Sequence, residues 1–486
     1  MTDALFTEDT VTVAAAFAVY GAAMLMVGII ACRRTSTLSD YILGGRRLNS
    51  FVTALSAEAS DMSGWLLLGL PGYAYAAGCE SIWLAGGLLI GTYLNWRLVA
   101  PRLRDYSVMA GDSFTISEYL EARFHDRSRM LRLISGIFIL VFFMIYTTSG
   151  LVAGGKLFST VFGLPYESAV VLGASTIVAY TFLGGFLAVC WTDCIQGILM
   201  LVALVALPLM VVHEQGGWGQ GFETLRGINP DLLNPFTSAD GGALSAISII
   251  SLMGWGLGYF GQPHILTRFM AIRSSGEVPR ARVIAMGWVT AGLVGSVLVG
   301  LGGIGTLATP LAGADTEKVF ILLVRALLHP IPAGICLAAI LAAIMSTADS
   351  QLLVSSSVLA EDFYKDLFRK DASAKELMWA GRLAVVFIAL WAGALSMNPA
   401  SMVLDLVAYA WAGFGAAFGP TLLMSLLWKR MTRNGALAGI ITGGLTVIVW
   451  KQLEGGLFDL YEIVPGFVFS LLAVVFFSYR RKSEDY

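Results

Sequence analysis

The sequence predicts an all-α polytopic membrane protein, and three observations lead to this fold class. First, 57% of the 486 residues are hydrophobic and only 13% are charged, whereas charged residues make up about 25% of an average soluble domain. Second, the apolar residues form runs of about 20, the length that a helix needs to cross a bilayer. Third, the basic residues concentrate in every second connection between these runs. The net charge of −2, without a basic stripe, argues against a nucleic-acid partner.

Thirteen apolar runs are long enough to be membrane-spanning helices. Their approximate limits are 10–32, 51–76, 80–101, 131–158, 166–184, 188–212, 243–263, 283–309, 326–358, 379–397, 401–427, 434–452 and 461–479. The lipid bilayer is therefore the first predicted partner of the chain.

The basic residues predict the orientation of these spans. Cytoplasmic loops of membrane proteins carry an excess of Lys and Arg. Placing the N-terminus outside puts 26 of the 31 Lys and Arg residues in connections that face the cytoplasm. These connections are 33–50, 97–132, 264–282, 359–382, 428–433 and 480–486. The sequence thus predicts an external N-terminus and a cytoplasmic C-terminus.

Two of the predicted spans are interrupted by Gly and Pro. The second span contains "GWLLLGLPG" from Gly64, and the seventh contains "GWGLGYFGQP" from Gly254. They lie five spans apart and in opposite orientation, as the broken first helices of two inverted five-helix repeats do in transporters. The alternative is that Gly, which occurs 54 times, serves here only for close helix packing.

Two carboxylic acids, Glu58 and Asp61, lie within the second span among serines. A charge at mid-membrane costs roughly 2.5–3.5 kcal/mol on the insertion scale, so such residues usually line a site or a pathway. This cost favours a functional role for the stretch "SAEASDMSG".

A second polar cluster lies in the ninth span, in "LAAIMSTADSQLLVSSS". Ala343, Ser346 and Thr347 are spaced i, i+3, i+4 and share one helix face. Their hydroxyls could simply bond to carbonyls one turn earlier, as in many membrane helices. Together with an unwound second span, however, they offer the oxygen ligands that hard cations such as Na+ take.

Four motifs resemble the solute:sodium symporter family, and most closely its sodium/proline branch. They are "FVTALSAEASDMSGWLLLGLPG", "GGFLAVCWTDCIQG", "GWGLGYFGQPHILTRFMAI" and "AAIMSTADSQLLVSSS". The resemblance extends from about residue 10 to residue 480. It implies a core of two inverted five-helix repeats in a bacterial inner membrane. The implied division is an accessory helix and inner loop (1–50), a first repeat (51–213), an outer loop (214–242), a second repeat (243–427) and two accessory helices with a tail (428–486).

The resemblance also implies a Na+ site, with Na+ as the coupling ion. The implied ligands are two kinds of oxygen, the carbonyls of Ala59, Met62 and Ala343 and the hydroxyls of Ser346 and Thr347. It further implies ion-coupling roles for Asp61, beside two of these ligands, and for Asp193 in "WTDC". Glu58 receives no role from the resemblance.

The solute that the resemblance implies is L-proline, a compact zwitterion that suits aromatic walls and a helix N-terminus. The implied solute-binding residues are Ser63, Trp65, Gly69, Tyr146, Trp255, Tyr259 and Pro263. Aromatic residues of membrane helices also serve in packing and at interfaces, and this reading stays open. Arg46 matches an important inner-loop arginine, or it is a determinant of topology.

Other function classes find less support. An enzyme needs a nucleophile or a metal constellation, and the four histidines are scattered without a ligand pattern. A phosphate-binding GxxxxGK[ST] loop does not occur. A sensor would carry a signalling domain, and a channel would conduct without coupling. Pantothenate, a sugar, sialic acid or a short-chain carboxylate remain alternative solutes, and no obligatory protein partner is expected.

Overall fold

The computed structural model describes residues 8–32, 43–181 and 185–479, and these ranges are almost entirely helical. The α-helices in chain order are α1 (Glu8–Cys32), α2 (Ser50–Asp61), α3 (Leu70–Ala77), α4 (Ser81–Leu94), α5 (Ala100–Met109), α6 (Ile116–Arg123), α7 (Met130–Phe162), α8 (Tyr166–Thr181), α9 (Phe186–Glu214), α10 (Trp218–Ile228), α11 (Ala246–Gly254), α12 (Pro263–Ala271), α13 (Val278–Thr306), α14 (Val319–Leu327), α15 (Pro330–Ser357), α16 (Ala374–Leu395), α17 (Val403–Leu427), α18 (Arg433–Trp450) and α19 (Ile463–Tyr479). The predicted all-α class is confirmed.

Eight helical stretches of the described residues are long and apolar enough to cross a membrane. They are Asp9–Ala31, Trp65–Met109, Met130–Phe162, Phe186–Glu214, Ser275–Thr306, Pro330–Lys365, Lys375–Leu395 and Val403–Leu427. Shorter apolar helices over Tyr166–Val178, Ala246–Gly261 and Ile463–Tyr479 coincide with three more predicted spans. The total of thirteen spans stays a prediction. Residues 33–42, 182–184 and 480–486, in predicted loops and at one span end, lie outside the described residues.

The second predicted span is broken, as its Gly and Pro residues indicate. Asn49 caps the start of α2 by accepting a hydrogen bond from the backbone N–H of Val52 at 3.0 Å. The helix ends at Asp61 because Met62 adopts φ −82° and ψ 80°. The chain then resumes as a π-helical turn over Trp65–Gly69 and continues into α3. The break interrupts the regular helical hydrogen bonding of the backbone in the middle of the molecule.

The seventh predicted span is also broken, but it extends further than predicted. A 3-10 turn over Trp255–Gly261 follows α11, and Gln262 is extended before α12 begins. The sequence analysis placed 264–282 in a cytoplasmic loop. The structure corrects this boundary, because Pro263–Ala271 is a helix in which every residue is buried.

Glycine in the second break also serves close packing. A Cβ atom at Gly256 would lie 2.2 Å from the carbonyl oxygen of Gly87, and one at Gly261 would lie 2.1 Å from that of Phe414. The turn therefore lies directly against α4 and α17. These glycines therefore lie in the break of the helix and also allow its close packing, so both interpretations of the sequence apply.

The breaks meet in the centre of the helix bundle. The end of α2 packs against α9, α13 and α15, and α12 packs against α2 and α5. The N-terminal helix α1 covers α9 and α15. We call the two ends of the bundle the Arg46 face, where α2 starts and α12 ends, and the Glu317 face, where α7 ends and α17 starts. The five-part division of the chain stays a prediction.

Candidate ion- and solute-binding site

The predicted sodium ligands lie where the end of α2 meets α15. The Ser346 hydroxyl donates a hydrogen bond to the carbonyl of Ala59 at 2.7 Å and lies 3.2 Å from the carbonyl of Ala343. All three residues are fully buried. Three of the five predicted ligands are therefore in contact, and they join the first broken helix to α15.

The other two predicted ligands have oxygens that suit an ion. Thr347 is buried, and its hydroxyl has no hydrogen-bond partner among the described residues. The dihedrals of Met62 take its carbonyl out of the helical direction. A buried polar atom without a partner costs free energy unless a ligand satisfies it. Carbonyl and hydroxyl oxygens bind hard cations, and unwound backbone does so in transporters. The oxygens of these five residues are of the chemical kind that binds Na+, and the complete ligand set stays a prediction.

Asp61 presents a buried carboxylate and a firmly held carbonyl. Neither carboxylate oxygen forms a hydrogen bond within the described part of the chain. The Tyr259 hydroxyl is within electrostatic range of this carboxylate but lacks hydrogen-bond geometry. The Asp61 carbonyl accepts hydrogen bonds from the Tyr146 hydroxyl at 3.1 Å and from the indole N–H of Trp65 at 3.2 Å. Two predicted solute-binding residues therefore hold the backbone of the unwound segment.

Aromatic rings from both broken helices form one buried cluster. The rings of Trp65 and Trp255 lie 6.5 Å apart, and Trp255 stacks on Tyr461 at 5.5 Å. Tyr259 meets Trp411 edge-on at 5.0 Å, and the indole N–H of Trp411 donates to the carbonyl of Trp255 at 2.7 Å. Trp65, Trp255 and Tyr259 are between 1% and 6% exposed. The three rings are therefore buried together, and their role as a wall of the solute site stays a prediction.

The remaining predicted solute residues shape the backbone around this cluster. The Ser63 hydroxyl accepts a long hydrogen bond, 3.4 Å, from the backbone N–H of Trp65. Gly69 packs against Leu404, which a Cβ atom would approach at 3.2 Å. Pro263 starts α12 and lines a small cavity of about 20 Å³ with Phe186 and Thr267. This cavity lies below the cluster, towards the Arg46 face.

Asp193 is part of a buried network that centres on Arg268 of α12. Both side chains are fully buried, with Arg268 Nη2 at 3.2 Å from Asp193 Oδ2. Ser56 of α2 donates to the same carboxylate oxygen at 2.6 Å, and Arg268 donates to the hydroxyls of Ser56 and Ser350 at 3.1 and 2.5 Å. Ser350 in turn donates to the carbonyl of Ser346 at 2.8 Å. One guanidinium therefore connects both broken helices to α9 and α15.

Arg46 uses its guanidinium group to hold the Arg46 face together. It lies after two glycines in a turn with positive φ (59° at Gly44, 62° at Gly45). It donates to the carboxylate of Asp112 at 2.8 Å and to the carbonyls of Ser113 and Met270 at 2.7 Å each. It therefore links the loop before α2 to the last turn of α12.

The end of α12 is held by hydrogen bonds from two further residues. Arg104 of α5 donates to the carbonyls of Ile272 and Arg273 at 2.5 and 3.0 Å. The backbone N–H of Leu48 donates to the carbonyl of Ala271 at 3.2 Å. The last carbonyls of a helix need such partners because they have none within it. We call the set of Arg46, Leu48 and Arg104 the α12 clamp.

A buried ion pair joins helices at the Glu317 face. Lys156 of α7 and Glu317 are 2% and 0% exposed at their side chains and lie 2.5 Å apart. Glu317 also accepts hydrogen bonds from the backbone N–H groups of Val403 and Leu404 at 2.9 and 3.0 Å, at the start of α17. A Cβ atom at Gly72 of α3 would lie 2.9 Å from the Glu317 backbone. Glu317 thus contacts three helices.

Sequence reasoning missed several residues of this site. Arg268 was counted among the loop cations, although it lies within the mostly apolar stretch "PHILTRFMA" that directly follows the second break. Trp411 and Tyr461 carried no signal, because aromatic residues are frequent in every apolar run. Lys156 was visible as a lone cation within a predicted span.

A family model places the chain among known proteins. The sodium:solute symporter family model matches residues 41–443. The sodium/proline symporter of Escherichia coli is 52% identical over 477 residues, which cover 96% of this chain and 93% of that protein. The high-affinity proline transporter PutP of Bacillus subtilis is 52% identical over 457 residues, with 94% and 95% coverage. The osmoregulated proline transporter OpuE of the same organism is 48% identical over 468 residues, with 96% and 94% coverage.

Solved structures of two transporters share the fold. A substrate-bound, outward-open Na+-coupled sialic acid symporter superimposes with a TM-score of 0.78 at 23% identity, over 96% of this chain and 98% of that one. A nucleobase-cation-symport-1 family transporter, Mhp1, in a closed conformation superimposes with a TM-score of 0.57 at 12% identity, with 92% and 95% coverage. At these identities the likeness concerns the fold alone.

Proposed function

Since the chain belongs to the sodium:solute symporter family, we propose that it accumulates L-proline by coupling the solute to inward Na+ movement. Family membership makes it a transporter rather than an enzyme, with Na+ as the coupling ion. The observation that carries the proposal is the contact of Ser346 with the Ala59 carbonyl. Thr347, the next residue, and Asp61 carry a hydroxyl and a carboxylate that have no hydrogen-bond partner within the described ranges.

Two findings support L-proline as the solute. Several relatives that are 48–52% identical over nearly the whole chain are named proline symporters or transporters. The rings of Trp65, Trp255 and Tyr259 are buried together, and aromatic surfaces suit a compact ring-bearing zwitterion. The unwound segment supplies the backbone dipoles that such a zwitterion needs.

The Arg46 face is proposed to be cytoplasmic in a bacterial inner membrane, with the N-terminus outside. Connections that reach this face hold most of the Lys and Arg residues, and the K/R bias sets membrane orientation. The Glu317 face then faces outward.

The coupling follows from the shared position of the two sites. Ala59 and Met62, the proposed ion ligands on α2, flank Asp61, whose carbonyl the Tyr146 and Trp65 side chains hold. An ion that orders this segment therefore also orders the aromatic cluster, and the coupling free energy is reciprocal. Asp61 and Asp193 contribute negative charge beside the ion path.

The energetics suit this proposal. A Na+ ion that moves inward gains about 2.3 kcal/mol per 100 mV, and a tenfold concentration gradient adds about 1.4 kcal/mol. Their sum supports roughly 500-fold accumulation of a neutral solute. Alternation between the two faces then requires that the contacts of each face break in turn.

Uptake into proteoliposomes tests the proposal directly. Purified protein is offered labelled L-proline, pantothenate, a sugar, sialic acid and a short-chain carboxylate under Na+, Li+ or H+ gradients. We expect saturable uptake of L-proline that requires Na+. Uptake of a different solute would overturn the solute assignment and leave the family standing, and proline flux without Na+ dependence would indicate a channel.

The ion ligands have a separate test within the same assay. Ser346→Ala and Thr347→Ala each remove one oxygen, so each should raise the Na+ concentration for half-maximal uptake at least several-fold. The matched control is Ser356→Ala on the same helix, whose hydroxyl only bonds to the carbonyl of Leu353 at 2.9 Å. Equal Na+ requirements in all three variants would assign both hydroxyls to helix packing.

A further inference from the structure

Tyr20 is a buried polar residue on α1, outside the ten-helix core that the family resemblance implies. It is 7% exposed on a helix whose other buried side chains include Val13, Phe17 and Met24. Its hydroxyl accepts a hydrogen bond from Gln196 Nε2 at 2.8 Å and donates one to Met345 Sδ at 3.7 Å. The hydroxyl thus lies where α1, α9 and α15 meet.

Both partners of Tyr20 stand next to the ion-coupling residues. Gln196 is fully buried one turn after Asp193, and its Oε1 atom has no partner among the residues described. Met345 directly precedes Ser346, one of the proposed ion ligands. Tyr20 is itself within electrostatic range of Asp193.

A purely structural role for this hydroxyl is weakly supported. Burying a phenol and an amide away from water costs free energy. A thioether is a weak acceptor, so its hydrogen bond with the phenol offsets little of that cost. An apolar contact between α1 and its neighbours would hold the helix without this desolvation cost. The polar link is instead placed behind the turn that carries Ser346 and beside the turn that carries Asp193.

We propose that Tyr20 is a positioning residue for the ion-coupling site, acting through Gln196 on Asp193 and through Met345 on the Ser346 turn. The inference rests on the proposed function and deepens it. In this view α1 is part of the coupling machinery and not only a lipid-facing cover. Removing the hydroxyl leaves the ring in place but frees the Gln196 amide and the Met345 side chain to shift.

The test is Tyr20→Phe in reconstituted full-length protein. We expect the Na+ concentration for half-maximal uptake to rise about threefold to tenfold, the change that loss of one hydrogen bond produces. The maximal rate and the KM for proline at saturating Na+ should change less than twofold, because the aromatic cluster is not touched. Gln196→Met removes the same link from the other side and should shift Na+ dependence in the same direction.

The matched control is Tyr119→Phe. Tyr119 is also buried, and its hydroxyl lies 3.2 Å from that of Ser425. The two residues belong to α6 and α17, which carry none of the proposed ion ligands. It should leave the Na+ dependence unchanged even if it lowers stability. A Tyr20→Phe variant that behaves like Tyr119→Phe, with less folded protein but an unaltered Na+ requirement, would overturn the inference.

A second readout separates this inference from the choice of solute. Na+ stabilises a protein that binds it in the folded state, in proportion to the logarithm of its concentration over Kd. Thermal unfolding of the purified protein across a Na+ series therefore reports the ion site without any solute. We expect the Na+-induced rise in Tm to need more Na+ in Tyr20→Phe than in wild type. If proline uptake fails but this shift is seen, the solute is wrong and the role of Tyr20 stands; a wild type that Na+ does not stabilise overturns both.

Discussion

The two faces of the molecule are held together in different ways. At the Glu317 face a single buried carboxylate pairs with Lys156 and also accepts the N–H groups that begin α17. At the Arg46 face the end of α12 is held by several separate hydrogen bonds from Arg46, Leu48 and Arg104. The first arrangement depends on one fully buried carboxylate, and the second depends on several hydrogen bonds that are partly exposed.

The difference has an energetic consequence. Removing one partner of a buried ion pair costs about 3–5 kcal/mol, because it leaves an uncompensated charge in an apolar interior. A single hydrogen bond contributes about 0.5–1.5 kcal/mol, and one to a charged group about 1.5–3 kcal/mol. A single substitution should therefore remove most of the stabilisation at the Glu317 face. At the Arg46 face each substitution should remove only part of it.

The largest effect is expected from Glu317→Gln. The amide cannot neutralise Lys156, and its weaker dipole serves the start of α17 less well than a carboxylate does. We expect proline uptake to fall at least tenfold and the Tm of the purified protein to fall as well. The neighbouring Lys318→Met variant removes a partly exposed pair with Asp315 and should leave both quantities near wild type.

A double substitution sharpens this prediction. Lys156→Met combined with Glu317→Gln removes both charges, so it should recover part of the Tm lost in the single variant. Uptake should recover less than Tm does if the pair also governs closure of this face. Near-normal uptake in Glu317→Gln alone would refute the idea that this single carboxylate holds the Glu317 face together.

A smaller effect is expected from Arg46→Lys. Lysine keeps the charge but not the planar fork that reaches Asp112, Ser113 and Met270 together. We expect uptake to fall about threefold to tenfold, or about 0.7–1.4 kcal/mol, because lysine keeps the charge and can still donate to part of this acceptor set. The matched control is Arg280→Lys, an exposed arginine near the same face.

If several separate hydrogen bonds hold the end of α12, Arg46 and Arg104 should both contribute to transport. Arg104→Lys should have a similar effect to Arg46→Lys, because each side chain holds different carbonyls at the end of α12. The double variant should lose more than the product of the two single effects, since the remaining contacts can no longer hold the helix end. Strictly multiplicative effects would mean that the two arginines act independently.

The sequence predicts the breaks well, because Gly and Pro act locally. The stretches that start at Gly64 and Gly254 mark both interruptions, and the cluster around Ser346 marks the helix that faces the first. These features depend on backbone freedom and on single-helix periodicity. They can be found without knowing which helices are neighbours.

The sequence predicts the networks poorly, because they depend on partners from distant segments. Arg268 looks like a loop cation until Asp193, Ser56 and Ser350 are seen around it, since a hydropathy window counts a polar residue and not the groups that satisfy it. Glu317 looks like a residue of an exposed outer loop for the same reason. The stacking of Tyr461 on Trp255 likewise joins an accessory helix region to the core.

The smallest effect is expected from Asp112→Asn, and this makes it a sensitive check on the Arg46 face. Asp112 pairs with Arg46 at 2.8 Å, but its side chain is 60% exposed. Exposed ion pairs are worth about 0–1 kcal/mol, and salt screens them over about 8 Å at physiological ionic strength. We therefore expect uptake within twofold of wild type, and an even smaller difference in assays at raised ionic strength. If Asp112→Asn instead lowers uptake as much as Arg46→Lys does, the carboxylate and not the set of backbone carbonyls holds Arg46. The Arg46 face would then depend on a single ion pair, as the Glu317 face does.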